Sequence, residues 1–268
     1  MPDFQHIRFE DEACLAAIGP ITLEEMDSIN LMNRIDTKYL TDERTLRGIL
    51  ADAAASGYRA MVVEGSKVSP YDSVYFDTDA LKMFVDHQRG KTVRQKVRTR
   101  QYVLSGQTFL EIKRKNNKGR TKKKRTEIPA ALFSDFRTSP EACDFLAEKS
   151  DFTASQLTPA LETIFRRITL VNPAKTERLT IDTCLEFVNL RNGRRTGLAD
   201  TVIIELKQDG RAFSQMKAIL LRHRVKAVRV SKYCIGTTLT ATGIKAGRFR
   251  ERVRLIEKTI KKPLFAYV

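Results

Sequence analysis

Basic residues alternate with other residue types along two neighbouring segments in the middle of the chain. The first segment, TVRQKVRTRQY, predicts a strand, and strand side chains point alternately to opposite faces. One face of this strand therefore carries four cations, Arg94, Lys96, Arg98 and Arg100. A turn at Ser105 and Gly106 leads to a second strand that places Glu111, Lys113 and Lys115 on one face. The sequence therefore predicts a β-hairpin with a basic face.

This basic face indicates a bound polyanion and, with it, phosphate chemistry. A solvated face normally mixes charges of both signs, and like charges opposite one another on paired strands are destabilising unless something neutralises them. Phosphoryl transfer depends on positioned cations and a metal ion, with little covalent work for the protein. Glu205 or Glu111 is a candidate ligand for that metal. Each is equally compatible with an internal salt bridge, to Lys207 and Lys113 respectively.

Other familiar chemistries lack the residues they need. The sequence has no GxxxxGK[ST] or GxGxxG loop and no HExxH helix. Its three histidines are scattered along the chain: His6, His87 and His223. Its four cysteines form no CxxC pair: Cys14, Cys143, Cys184 and Cys234. The missing loop motifs thus exclude a P-loop and a dinucleotide-binding loop, and the cysteine spacing indicates neither a zinc cluster nor a disulfide framework.

Length and charge narrow the class further. A chain of 268 residues with 42% hydrophobic residues can bury a large core, in one domain or two. The net charge of +16 and a pI near 9.8 favour a partner such as nucleic acid, an acidic membrane or a phosphate chain. No segment approaches the ~20 apolar residues of a membrane span, and the first residues lack the pattern of a signal peptide. We expect a cytoplasmic protein that can also rest on the inner face of a membrane.

Nine segments have strand character. They are NRIDTKYL, YRAMVVE, SPYDSVYFDT, the two hairpin strands, residues 121–128, ALETIFRRITLV, ERLTIDTCLEF and TVIIELKQDG. In residues 121–128, either Lys122 and Lys124 or Lys123 and Arg125 lie on the basic side, and the period alone does not decide. Eight or nine strands with few long helices between them favour an α+β fold with an antiparallel barrel over a doubly wound sheet.

Helix signals lie around these strands. Thr22 and Glu25 form a capping box that predicts an N-terminal helix over residues 22–32. Thr41 or Asp42 caps a helix that runs to about residue 55 and is stopped by Gly57. Further helices are predicted over 79–89, 140–149, 212–223 and, as a basic helix, about 248–262.

Several of these segments together resemble a known family. The motifs RIDTKYL, VYFDT, KVRTRQY, FLEIKRK, ERLTIDT, VIIELK and VSKY, in this order, are similar to the polyphosphate polymerase (VTC) domain of vacuolar transporter chaperones. That domain is a CYTH-like triphosphate tunnel metalloenzyme. The resemblance implies a single domain over 1–268 with a closed eight-stranded antiparallel tunnel at about 33–236. It also implies an enzyme that transfers the γ-phosphate of ATP to inorganic polyphosphate, releasing ADP, with Mn2+ or Mg2+.

The resemblance, combined with the charged strand faces, gives a set of expected site residues. The expected catalytic cations are Arg98, Arg100, Lys113, Arg178 and Lys232. The expected substrate-binding residues are Arg34, Lys38, Lys96, Lys123, Arg125, Arg167, Lys207, Arg229 and Ser231. Glu205 is the expected metal ligand. Two positions depart from the family pattern: Phe165 replaces a tyrosine, and Arg229 replaces a lysine.

The first strand separates two possible activities. Related hydrolases open with ExExK, whereas this chain has Arg34, Asp36 and Lys38, so that one carboxylate has become a cation. Fewer carboxylates favour the polymerase over a tripolyphosphatase, which remains the alternative. A nucleic-acid-binding protein is a third interpretation, but Arg94 to Arg100 contains no aromatic residue on which a base could stack. Nucleic acid is therefore not expected, whereas a membrane protein on another chain remains open as a partner.

Overall fold

The computed structural model describes residues 15–27, 34–198, 200–210 and 213–264. The strands are β1 (Gly19–Ile21), β2 (Arg34–Asp42), β3 (Arg59–Met61), β4 (Val68–Asp77), β5 (Arg94–Tyr102), β6 (Thr108–Lys115), β7 (Thr121–Glu127), β8 (Thr158–Val171), β9 (Glu177–Asn189), β10 (Arg195–Leu198) and β11 (Thr201–Asp209). The α-helices are α1 (Leu23–Asp27), α2 (Glu43–Ala55), α3 (Lys82–Gln88), α4 (Pro140–Lys149), α5 (Gln215–Arg222), α6 (Lys232–Thr240) and α7 (Gly247–Ile260). Short 3-10 helices lie at Ala130–Leu132, Phe136–Thr138 and Ala154–Gln156.

Eight strands follow one another in the order β2-β11-β9-β8-β4-β5-β6-β7. The pairings of β11 with β2 and β9, and those along β4-β5-β6-β7, are antiparallel, whereas the short β1 and β3 pair in parallel. The chain divides into two compact units. The first comprises Met1–Ser69, Arg166–Thr183 and Asp200–Arg229, and the second comprises Pro70–Phe165, Cys184–Ala199 and Val230–Val268.

The core of the first unit forms because β9 and β11 alternate between charged and apolar residues. The apolar face of these strands carries four fully buried residues: Leu179, Ile181, Ile204 and Leu206. Apolar residues of α2 and α5 belong to the same buried cluster. The helix α2 starts at the predicted place, since the side chain of Asp42 accepts a hydrogen bond from the Thr45 N–H at 2.7 Å. The charged residues of β2 and β11 therefore lie on the other face.

The second unit contains the predicted hairpin. Strands β5 and β6 pair with Arg98 opposite Glu111, and the turn between them includes Gly106 in the left-handed region at φ 70°. The apolar faces of β4, β5 and β6 form one buried cluster with Phe136 and with Leu146 of α4. The basic face predicted from the alternation is thus confirmed as the face opposite the core.

The prediction of a closed barrel was wrong. The strand order has two ends, β2 and β7, which are not paired with each other in the described residues. The outer edge of β2 is instead occupied by a non-strand segment, in which Val228 N–H donates to the Lys38 carbonyl at 2.8 Å and Ala227 bridges to Tyr39. An edge whose backbone groups are already bonded has fewer of them left to close the sheet.

The helix predictions are confirmed where the structure describes them. Thr22 and Glu25 exchange backbone-to-side-chain hydrogen bonds of 3.0 and 3.1 Å, although residues 28–32 of the predicted helix lie outside the described residues. The helix expected over 212–223 is α5 at 215–222, and Ala212 also lies outside the described residues. The basic helix expected at 248–262 is α7, at 247–260. Within the described ranges, no helix has the length and apolarity that crossing a membrane requires.

Candidate functional site

A buried carboxylate organises the basic face of the second unit. Glu111 has a side chain that is 0% exposed, and its Oε2 accepts hydrogen bonds from Arg98 Nε and Nη2 at 2.8 and 2.5 Å. Lys123 of β7 donates to the other oxygen, Oε1. Burial by itself raises the pKa of Glu111, but the charges of Arg98, Arg100 and Lys123 outweigh it and hold the pKa well below its usual range. Glu111 is therefore ionised and engaged by protein cations.

A tyrosine that the sequence analysis did not select completes this network. The hydroxyl of Tyr75 on β4 accepts a hydrogen bond from Arg98 Nη1 at 2.8 Å, so Arg98 is held from two sides. Burial raises the pKa of Tyr75, but Arg98, with Lys96, Arg100 and Lys232, lowers it to about 8. The alternation in VYFDT was the available signal, because it places Tyr75 on the same face of β4 as Asp77.

We call the following residues the Glu111 cluster: Glu111, Tyr75, Lys96, Arg98, Arg100, Lys123 and Lys232. Its members come from β4, β5, β6, β7 and the start of α6, all in the second unit. The Lys123 side chain keeps 36% of its surface exposed, while its ammonium lies against the buried carboxylate. Desolvation of the Lys123 ammonium lowers its pKa to about 8, and the negative charge of Glu111, which raises the pKa, offsets only part of this decrease.

Arg100 is held by contacts different from those of Arg98. It is 5% exposed, and its Nε donates to the Ser73 hydroxyl at 3.0 Å. Its guanidinium also lies 5.3 and 5.6 Å from the ring centroids of Tyr71 and Phe165, within the range of cation–π attraction. Lys232 Nζ lies 4.2 Å from the Phe165 centroid. Phe165, which lacks the hydroxyl of the family tyrosine, thus supports two of the expected cations through its ring.

The start of α6 adds a hydroxyl to this region. Lys96 Nζ donates to the Ser231 hydroxyl at 2.7 Å, and that hydroxyl also accepts from the Cys234 N–H at 3.3 Å as the helix cap. The helix is fixed by Tyr233, whose hydroxyl donates to Asp77 at 2.5 Å. Ser231 and Lys96, both expected to bind substrate, are therefore in direct hydrogen-bond contact.

The register also settles which side of β7 is basic. Lys113 of β6 is opposite Lys96 on one side and Lys123 on the other, while Arg125 is opposite Glu111. Arg125 lies over the ring of Phe109, with 4.5 Å between guanidinium and centroid. Lys113, Lys123 and Arg125 therefore share the face of Glu111, and the open alternative is resolved in favour of the pair at 123 and 125.

The first unit has a separate group of charges around Glu205. Register places Lys38 opposite Glu205, and the two side chains form an ion pair in which they are 34% and 23% exposed. Asp36 and Arg178 are both opposite Lys207 on neighbouring strands. Arg167 makes two hydrogen bonds to Asp182, at 2.6 and 2.8 Å. We call the Glu205 cluster the set Asp36, Lys38, Arg167, Arg178, Asp182, Glu205 and Lys207.

Lys207 is the perturbed group of this cluster. Burial lowers its pKa to about 8, Arg178 and Arg167 act in the same direction, and Glu205 and Asp36 oppose them. Glu205 and Lys207, considered as a salt bridge from the sequence, attract each other electrostatically, and Lys38 is a hydrogen-bonded partner of Glu205. Glu111 is hydrogen-bonded to Arg98 and Lys123.

Two further expected substrate-binding residues, Arg34 and Arg229, have exposed side chains. Arg34 is exposed and pairs with Asp36 at 2.6 Å on the same strand face. Arg229 is exposed and directly follows Val228, which is bonded to the β2 edge. The structure therefore gives Arg34 a link to the Glu205 cluster through Asp36.

The comparisons with known proteins bear on this arrangement of charges. The VTC domain profile matches residues 33–241. The chain belongs to the VTC domain family. A candidate adenylate cyclase from Bacillus halodurans has a similar structure, with 17% identity, a TM-score of 0.50 and coverage of 75% of this chain and 96% of that one. No curated protein sequence matches the chain.

A second solved structure with a similar fold is a candidate adenylyl cyclase from Hippeastrum that has a dominant triphosphatase activity. It is 14% identical, with a TM-score of 0.49 and coverage of 79% of this chain and 98% of that one. The likeness to the first of these structures shows a shared fold. Membership of the VTC family supports an enzyme that acts on polyphosphate or triphosphate.

Tunnel-fold enzymes of this superfamily generally depend on a divalent metal. Across the described ranges, no group of three or more His, Cys, Asp or Glu side chains could hold a metal ion. Mg2+ bound mainly by phosphate oxygens and water needs only one or two protein carboxylates. Glu205, partly exposed among cations, meets that minimum, whereas Glu111 is fully buried. The residues present therefore fit an ion that arrives with its phosphates.

Proposed function

We propose that this VTC domain is a polyphosphate polymerase, which transfers the γ-phosphate of ATP to a growing inorganic polyphosphate chain and releases ADP. One observation carries the proposal. In the Glu111 cluster, five cations accompany one carboxylate, and that carboxylate is buried. The face therefore keeps a positive charge that a chain of phosphates can neutralise. The absence of aromatic residues between Arg94 and Arg100 makes bare phosphate a better ligand than nucleic acid.

In the proposed reaction, a terminal oxygen of polyphosphate attacks the γ-phosphorus of ATP, and the bond from that phosphorus to the β,γ-bridging oxygen breaks. No general base is required, because the last pKa of a phosphate monoester is about 6 and the attacking oxygen is already ionised at pH 7. The main barrier is repulsion between two anions, which Arg98, Arg100, Lys113, Arg178 and Lys232 would offset. Such positioned charges stabilise the transition state without reorganising.

The remaining predicted residues have binding roles in this proposal. Arg34, Lys38, Lys96, Lys123, Arg125, Arg167, Lys207, Arg229 and Ser231 would bind phosphate oxygens. Glu205 would ligate Mn2+ or Mg2+, and the bound ion supplies positive charge to the phosphate oxygens of ATP. Glu205 would then exchange its partner Lys38 for the metal, which frees the Lys38 ammonium for phosphate. Two predictions are not tested by the structure: that residues 1–268 form a single VTC-type domain, and that the protein is located in the cytoplasm.

The decisive experiment incubates the purified protein with ATP and Mn2+ or Mg2+. We expect ADP release together with polyphosphate that lengthens with time on a gel. Arg98→Ala should abolish both signals, and Lys258→Ala, which removes an exposed cation of α7, is the matched control. ATP consumption without chain growth would contradict the polymerase.

A second candidate is hydrolysis of tripolyphosphate, because the Glu205 cluster contains three carboxylates, although among the described residues no three of them come together as a metal site. Hydrolases need carboxylates to hold metal and orient water, and Asp36, Asp182 and Glu205 are all on charged strand faces. In the structure each of the three pairs with a cation, Arg34, Arg167 or Lys38. Phosphate release from tripolyphosphate without added ATP would favour this candidate, and the same assay mixture measures it.

A further inference from the structure

The β6–β7 hairpin has a second basic surface outside both clusters. Its four cations are Lys118, Arg120, Lys122 and Lys124, which lie within seven residues of sequence and are all exposed. In the described part of the chain, none of the four side chains has a hydrogen-bond or ion-pair partner. Arg114 next to them is neutralised by Asp151 at 2.7 Å. We call the four unpaired cations the outer basic surface.

The local backbone gives this surface a defined geometry. Asn116 closes the turn, because its side chain accepts from the Arg120 N–H at 2.9 Å and its N–H donates to the Arg120 carbonyl at 2.9 Å. Gly119 supplies the left-handed conformation, at φ 78°. Lys122 and Lys124 are opposite Arg114 and Ile112 of β6, and therefore project to the face away from Glu111. Alternate residues of a strand are about 7 Å apart, so the cations form a short row.

The surface also continues into the proposed active site. Lys123 and Arg125 alternate with Lys122 and Lys124 on the same strand, so β7 carries cations on both faces. Strand β7 is the end of the strand order, and in the described residues β6 is its one strand partner. A flexible polyanion that crosses this edge would meet cations on either side of the strand.

The chemistry of the hairpin selects the kind of polyanion. Residues 113–125, KRKNNKGRTKKKR, include no aromatic side chain on which a base could stack and no large apolar side chain that could enter a bilayer. Exposed Lys and Arg side chains bind a chain of phosphates through charge alone, and they need no stacking or apolar contact to do so. We propose that the outer basic surface binds the distal part of a long inorganic polyphosphate whose end occupies the active site. This inference rests on the proposed function.

The test compares short and long polyphosphate chains as ligands of the purified protein. One variant combines Lys118→Gln, Arg120→Gln, Lys122→Gln and Lys124→Gln. The matched control combines Lys245→Gln, Arg250→Gln, Arg254→Gln and Lys258→Gln, which removes equal charge from exposed positions of the same unit. Affinities for tripolyphosphate and long-chain polyphosphate are measured at several salt concentrations.

We expect the first variant to bind tripolyphosphate within about twofold of the unmodified protein and long-chain polyphosphate about tenfold more weakly at low salt. When the logarithm of the binding constant for the long chain is plotted against the logarithm of the salt concentration, counterion release predicts that the slope is smaller in magnitude by about 0.7 for each phosphate contact that the variant loses. The control variant should lose less than about threefold for both ligands, because charge far from the bound chain is screened.

Three outcomes would overturn the inference. An equal loss of long-chain affinity in both variants would show a non-specific effect of net charge. A variant that keeps long-chain polyphosphate affinity but no longer binds single-stranded DNA would assign the surface to nucleic acid. Retained polyphosphate affinity with lost binding to anionic lipid vesicles would assign it to a membrane. If the unmodified protein binds neither tripolyphosphate nor polyphosphate, the proposed function fails as well, and that result is distinct from the other three.

Discussion

The Glu111 cluster and the Glu205 cluster use the same residue types in opposite ways. Around Glu111, one fully buried carboxylate accepts hydrogen bonds from Arg98 and Lys123, and cations are in large excess. Around Glu205, three carboxylates accompany four cations, and the Lys38–Glu205 pair is partly exposed. A buried carboxylate fixes cations in place, whereas a partly exposed one can change its partner. We therefore propose that the first cluster mainly binds anions and that the second supplies the metal ligand.

The largest expected effect comes from breaking the buried ion pair. Arg98→Ala leaves Glu111 buried with Lys123 as its remaining hydrogen-bonded partner, and removing one partner of a buried pair costs about 3–5 kcal/mol. The free energy of unfolding in urea measures this loss. Lys38→Ala is the matched control in the other cluster, where a partly exposed pair contributes no more than about 1 kcal/mol. Equal losses in the two variants would contradict the contrast between the clusters.

Glu205→Gln should separate turnover from binding. Loss of the metal ligand removes a few kcal/mol of transition-state stabilisation, or at least about 100-fold in turnover. Polyphosphate affinity should stay equal or increase, because a negative charge has left a basic region. ADP release and polyphosphate affinity, measured with and without Mn2+, check both parts. A fully active Glu205→Gln variant would show that Glu205 is a salt-bridge partner of Lys38 and no metal ligand.

The pH dependence of polyphosphate binding should report on one lysine in each cluster. Lys123 and Lys207 both have a pKa of about 8, below the usual lysine value, so each is mostly charged at pH 7 and loses its charge as the pH rises through 8. If one such charge is essential, affinity falls about tenfold between pH 7 and 9. Lys123→Arg keeps the charge and should flatten this decrease more than Lys207→Arg does. Affinity titrations from pH 6.5 to 9 measure it.

The contribution of Tyr75 to that profile needs its own control, since its pKa is also about 8. The profile of Tyr75→Phe lacks this titration. An unchanged decrease in both lysine variants would show that neither ammonium controls binding.

Tyr75→Phe should have the smallest effect of the four. It removes a hydroxyl that accepts one hydrogen bond from Arg98, while the two bonds from Arg98 to Glu111 remain. Such a bond contributes about 1–2 kcal/mol. We expect a modest loss of stability and a few-fold rise in KM for polyphosphate with little change in kcat. A loss as large as that of Arg98→Ala would show that Tyr75, rather than Glu111, is the main support of the guanidinium.

Local pattern alone was sufficient for much of this molecule. The period of two placed Lys96, Arg98 and Arg100 on one face, and the register of β5 with β6 confirms it. Capping residues located helix starts at Thr22 and Asp42, whose side chains accept the expected hydrogen bonds. These features depend on residues close in sequence, where chain geometry leaves few options. The order of the motifs was also enough to identify the family.

Only the tertiary structure decided which charges meet. Sequence spacing suggested Lys113 as the partner of Glu111, but β7 brings Lys123 to that carboxylate, and Arg98 reaches it from the opposite strand. Tyr75 joins the cluster from β4, and Ala227 takes the β2 edge that a closed barrel would have used. Alternation fixes the face on which a side chain lies, but its partner is set by the register between strands distant in sequence, which no local pattern contains.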